Sequence, residues 1–94
     1  MPEFALFANV ENPFNDSARA LREAVDTILH AEALGFEQVW LTEHHFNPFS
    51  VSAALLPLLA YLAARTSRIR LGAGALLLPL HNPVRVAEDL ATID

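Results

Sequence analysis

Hydrophobic and polar positions along this chain switch repeatedly between two regimes. Residues 3–9 form a short apolar run, Glu-Phe-Ala-Leu-Phe-Ala-Asn, and the breaker-rich stretch Glu11 to Asp16 follows it. That pattern predicts a strand closed by a loop. From Ser17 to Leu34 the period changes, and Leu21, Val25, Ile28 and Leu29 recur at helical spacing as one apolar face. Arg19 with Glu23, and Arg22 with Asp26, are opposite charges four apart on the wet side. Asp16 or Ser17 can cap the start of this helix, and Gly35 stands where a left-handed residue would end it. A second strand, Gln38 to Thr42, runs into Glu43-His44-His45-Phe46 and a loop over 47–50. A second helix is predicted over roughly Ala54 to Thr66, with Pro57 placed in its first turn rather than at a kink. A third strand runs from Ile69 to about Leu76, followed by a loop over 79–82. Asn82 before Pro83 signals the cap and first turn of a third helix reaching Asp94.

The strands begin near residues 3, 38 and 69. Intervals of roughly 31–35 residues match one strand plus one crossover helix, the repeat of a βαβ unit or of a (β/α)8 barrel. The predicted fold is α/β: three parallel strands with outer helices, equal to the first three βα units of a TIM barrel that they do not close. Residues 1–94 read as one domain, the N-terminal portion of that barrel. Three strands alone leave two open edges.

Composition sharpens this picture. The chain is 53% apolar and only 18% charged, oily for a domain of 94 residues. So small a domain buries only about 60–65% of its extended surface, which implies apolar surface that other protein must cover. Self-association, or docking onto another barrel subunit, is the partner expectation. Six Arg, no Lys and 11 acidic residues give a net charge of −5, which argues against a general nucleic-acid binder. There is no Cys, so no disulfide framework. No apolar run reaches the ~20 residues of a membrane span, and nothing resembles an export signal. A cytoplasmic chain is expected.

In parallel α/β folds functional groups collect where strands end. The loops 9–16, 43–50 and 75–82 qualify, and three of the four His lie on them: His44, His45 and His81. His30 falls on the first helix and reads as a surface or packing residue. If the second strand persists, Glu43 and His45 point one way and His44 the other. That spacing is poor for a metal, and no metal site is expected. His44 suits proton transfer, because imidazole titrates near neutrality and the rim would set it against a ligand. The competing reading is a pair of His hydrogen-bonded within a loop. Gly72 and Gly74 in Leu71-Gly72-Ala73-Gly74-Ala75 permit either close packing or close approach of a flat ligand. Ser50 and Ser52 lack the glycines of a nucleophile elbow. Trp40 reads as core.

Three segments together resemble the bacterial luciferase-like monooxygenase family. They are Ala33-Leu34-Gly35-Phe36-Glu37-Gln38-Val39-Trp40-Leu41-Thr42-Glu43-His44-His45-Phe46, Ala64-Arg65-Thr66-Ser67-Arg68-Ile69-Arg70-Leu71-Gly72 and His81-Asn82-Pro83-Val84-Arg85-Val86-Ala87-Glu88-Asp89. They resemble the family's second-strand signature, third-strand entry and third-helix start, in order and at matching spacing. The resemblance implies a flavin-dependent barrel enzyme that uses reduced FMN, or in related branches a deazaflavin, with molecular oxygen on a small organic substrate such as an aldehyde. It implies that His44 is the proton-transfer residue beside the flavin, that its neighbour His45 orients the loop, and that Glu43, His45, Gly74 and Ala75 stand at the cofactor. It implies a non-prolyl cis peptide against the flavin ring at Gly74–Ala75. The family draws much of its flavin phosphate site from later strands, so residues 1–94 alone are expected to bind flavin weakly or not at all.

Overall fold

The structure, a computed structural model, describes residues 2–94. Its elements follow one another as β1 (Ala5–Ala8), α1 (Ser17–Ala33), β2 (Gln38–Leu41), α2 (Leu55–Arg65), β3 (Arg70–Ala73), a 3-10 turn (Leu78–Leu80) and α3 (Pro83–Ile93). The three strands form one parallel sheet in the order β1-β2-β3. Strand and helix alternate as the sequence pattern predicts, and the layout is the α/β arc of three βα units.

The helix ends explain themselves. The Asp16 carboxylate accepts the Arg19 N–H at 3.0 Å and so caps α1. At the other end Gly35 sits at φ +94°, and the N–H of Phe36 donates to the Ala31 carbonyl at 3.0 Å. Together with the Gly35 N–H on the Glu32 carbonyl, this is the Schellman closure that a glycine permits. Pro57 falls in the first turn of α2, where its missing N–H costs nothing. Asn82 caps α3 by accepting from Val84 and Arg85 N–H, with Pro83 as the first helical residue.

Strand alternation divides the sheet into two unlike faces. Val39 and Leu41 are fully buried against Val25 and Ile28 of α1 and Leu55, Leu59 and Leu62 of α2. The opposite face carries no helix. There Phe7, Trp40 and Gly72 stand in register on neighbouring strands, with Phe7 61% and Trp40 42% exposed. One layer down, Glu3, Gln38 and Arg70 form a polar ladder, with Glu3 bonded to Gln38 at 3.3 Å and to Arg70 at 3.2 Å.

Several expectations need correction. Trp40 is not core: the odd positions of β2 took the helix side, so the even ones face away. Leu21 is exposed, because α1 rests on the sheet through Ala20, Val25, Ile28 and Ala31 and turns Leu21 toward a groove shared with Leu58 and Tyr61. The Arg19–Glu23 ion pair closes at 2.7 Å, whereas no Arg22–Asp26 pair forms among the described residues. Finally, β3 ends at Ala73 rather than near Leu76. Gly74 still donates to the Leu41 carbonyl at 2.7 Å, and the chain then leaves the sheet for the 3-10 turn around Pro79.

Candidate functional site at the strand ends

Three loops leave the C-terminal ends of the strands, and hydrogen bonds stitch each to the next. The loop after β1 is tied to the loop after β2 through Asn12. Its N–H donates to the Phe49 carbonyl at 2.6 Å, its Nδ2 donates to the Pro48 carbonyl at 3.2 Å, and its Oδ1 accepts the Asp16 N–H at 2.7 Å. Ser50 adds a hydroxyl bond to the Asn9 carbonyl, and Val51 N–H donates to Val10 at 3.1 Å. Three non-glycine residues of these loops, Val10 at φ 52°, Asn15 at φ 52° and Phe46 at φ 53°, occupy the left-handed region. A β-branched residue there is an outlier, and such strain tends to collect at functional sites.

The loop after β2 is tied to the loop after β3 through Glu43. Its side chain is fully shielded from solvent. His45 Nε2 lies 2.6 Å from Oε1, His81 Nε2 lies 2.8 Å from the same oxygen and 3.1 Å from Oε2, and Leu77 N–H donates to Oε2 at 2.8 Å. Burial alone would push this carboxyl up. The bonds from His45, from the Leu77 amide and from His81, with the electrostatic pull of His81, hold it below the ordinary carboxylate range.

His44, between Glu43 and His45, is half-buried, and among the described residues its ring makes no hydrogen bond. Its two nitrogens therefore remain available to a ligand. Across the rim, the Gly74–Ala75 peptide bond is cis, at the position the family resemblance implies. A Cβ built at Gly74 would meet Phe7 at 3.6 Å and Trp40 at 3.7 Å, ordinary contact distances. Gly72 differs, since its Cβ would lie 2.6 Å from Trp40 Cε3, so close packing explains that glycine. Near the rim the hydroxyls of Thr42 and Ser52 are buried without a partner.

The residues singled out in the sequence thus fall into two sets. His44, Gly74 and Ala75 lie on the rim, with His44 unpaired. Glu43 and His45 are bonded to each other, and both Glu43 oxygens are occupied by protein donors. The pairing of Glu43 with His81 and Leu77 was not legible in advance. His81 was visible as a rim histidine, but no local pattern reveals a partner 38 positions away. Asn12, in an Asn-Pro turn signal, was likewise readable as a loop former and not as the stitch between two loops.

Residues 1–94 match the family described as luciferase-like monooxygenase over their whole length. The chain belongs to the luciferase-like monooxygenase family. A luciferase-like monooxygenase of Escherichia coli strain K12 is 38% identical over 92 residues, covering 97% of this chain and 28% of that protein. The crystal structure of apo-MsnO8 superposes with a TM-score of 0.90 at 33% identity, over 97% of this chain and 28% of that one. The oxygenating constituent of 3,6-diketocamphane monooxygenase from Pseudomonas putida, a type II Baeyer-Villiger monooxygenase solved with FMN, superposes with a TM-score of 0.88 over 97% of this chain and 25% of that one. At 20% identity that last likeness shows the shared fold. This luciferase-like chain spans little more than a quarter of the length of these relatives.

One hollow lies apart from the rim. A groove of about 370 Å³ between α1 and α2 is lined by Leu21, Val25, Leu58 and Tyr61 with Arg22, Asp26 and Arg65. It lies on the helix side of the molecule, away from the strand ends where the unpaired imidazole stands. No helix among the described residues is long and apolar enough to cross a membrane.

Proposed function

We propose that residues 1–94 form the part of a flavin-dependent monooxygenase that presents a proton-transfer histidine to reduced FMN, in a protein acting with molecular oxygen on a small organic substrate such as an aldehyde. The observation that carries this reading is His44: an imidazole at the end of β2, partly exposed, free of intramolecular hydrogen bonds, and flanked by two residues that are paired with each other. The donor set suits a flavin. His44 offers one acceptor and one donor nitrogen to a polar ring edge. Gly74 and Ala75 offer backbone and small side chains that a planar ring can approach.

In this reading bound reduced FMN supplies the electrons that activate oxygen. His44 holds or moves a proton at one ring nitrogen, which requires only that the ring stay within hydrogen-bond reach of the reacting group. Gly74 and Ala75 would form a wall that holds the flavin ring. Glu43 and His45, proposed from the sequence as cofactor neighbours, act here by holding the loop that carries His44. The chain's share of its relatives' length makes flavin affinity of residues 1–94 weak by themselves.

Titration of the chain with FMN, followed by flavin fluorescence, tests the proposal. Saturable quenching is expected, at affinities weaker than those of a complete barrel. His44→Ala should leave that affinity nearly intact while removing turnover in any assembly that has it. Unchanged fluorescence at high protein concentration contradicts catalytic competence of residues 1–94 by themselves, and a large affinity loss in His44→Ala would reassign His44 to binding.

A second reading has its own observation. The helix-free sheet face exposes Phe7 and Trp40 beside two open strand edges. Such a surface suits a non-catalytic piece that self-associates or docks onto another barrel subunit. Sedimentation across a concentration series separates it: association without any flavin response favours this second reading.

A further inference from the structure

The densest cluster of titratable groups beside His44 is Glu43 with His45 and His81. No group of three His, Cys, Asp or Glu among the described residues is arranged to hold a metal ion, so these side chains meet as hydrogen-bond partners. A carboxylate only accepts, and both imidazoles reach it through Nε2. Both Nε2 atoms therefore carry a hydrogen, and the Leu77 N–H adds a third donor. One donor comes from Glu43's own loop. The other two come from the segment after β3, 34 and 38 positions along the chain.

The consequence is geometric. Glu43 is covalently next to His44. Leu77 is two residues past Ala75. A bond between Glu43 and the 77–81 segment therefore fixes the His44 backbone relative to the Gly74–Ala75 peptide. The carboxylate is fully shielded, so water does not compete for it, and losing a donor leaves a buried charge short of a partner. His81 is itself only 26% exposed in its side chain and approaches both carboxylate oxygens.

We propose that His81 is a positioning residue of the rim: acting through the Glu43 carboxylate, it latches the loop after β2 to the loop after β3 and so sets His44 against Gly74–Ala75. The latch goes beyond the flavin proposal, because it holds the rim in place for any ligand that sits there.

The test uses the 15N-labelled chain and two substitutions. His81→Leu removes the donor. His81→Gln keeps an N–H near the place of Nε2. In His81→Leu the Leu77 amide should exchange with solvent about tenfold faster, and the amide resonances of His44 and Ala75 should both shift. In His81→Gln exchange and resonances should return close to those of the unsubstituted chain. A purely local role for His81 would leave the His44 amide, 37 positions away, unmoved; a folded His81→Leu chain with unchanged His44 and Ala75 resonances overturns the latch. Should His81→Leu fail to fold, the unsubstituted chain decides. Its His81 Nε2–H must then appear as a slowly exchanging downfield proton with a cross-peak to the Leu77 amide, and a rapidly exchanging ring N–H overturns the proposal. None of these readouts involves FMN, so the latch and the flavin reading stand or fall separately.

Discussion

Gly72 supports the indole of Trp40 on the neighbouring strand. A methyl group there would lie 2.6 to 2.9 Å from three carbons of the ring, and the ring is tethered by its Nε1–H to Gln38 at 3.0 Å. Alanine in a strand ordinarily gains about 0.5–1 kcal/mol over glycine. Here the overlap costs about 1–3 kcal/mol, so the net effect of Gly72→Ala is destabilising. Trp40 is the sole tryptophan, and its fluorescence should report a lower urea midpoint for Gly72→Ala. An unchanged or higher midpoint would mean that the indole moves aside freely. The sequence left Gly72 and Gly74 undecided between packing and ligand approach, because the choice depends on which strand lies alongside. Only the register, Trp40 opposite Gly72, assigns Gly72 to packing. His44 was readable because its position needs only the end of one strand. Its partnerless state was not, since that depends on which rings Glu43 captures.

At the scale of elements, the helices were the most legible parts. Asp16, Gly35, Pro57 and Asn82 each act within a few residues of their own position, and local chemistry fixed all four ends. The joins between elements were not legible, because they are long-range. Glu32, near the end of α1, takes the N–H groups of Ser67, Arg68 and Ile69 at 3.1, 2.8 and 2.8 Å on one carboxylate oxygen, ahead of β3. Nothing around Glu32 in the sequence marks it for this role. The bonds from Ile69 and Arg68 hold its carboxyl below the ordinary value, against a smaller upward push from burial, with further help from Ser67 and the Arg68 charge. The sign follows from linkage. A carboxyl with a depressed folded-state pKa contributes stability that is fully present above its unfolded value and is lost as pH falls through its folded value. Acid unfolding of the chain should therefore steepen below the ordinary glutamate value of 4.5. Glu32→Gln keeps one acceptor oxygen and no charge, so it should be less stable at neutral pH and show a flatter acid limb. Parallel curves for the two chains, followed by circular dichroism, would remove Glu32 from this account.

Taken whole, the molecule is a one-sided sheet. Helices cover the face of Val39 and Leu41, and the face of Phe7 and Trp40 is bare. In a closed barrel of this family that second face is the interior, with Glu3, Gln38 and Arg70 as a polar layer beneath the aromatic one. The rim above both layers is where the loops are cross-linked, by Asn12 on one side and Glu43 on the other. The rim therefore carries both an unpaired imidazole, His44, and the small-residue peptide Gly74–Ala75. Mapping FMN onto that surface tests the flavin proposal most directly. In 1H–15N spectra of the folded chain, millimolar FMN should shift the amides of His44, Gly74, Ala75 and Leu77 together and leave those of α1 and α2 in place. Shifts confined to the helices or to the bare sheet face, with the rim amides unmoved, would contradict it.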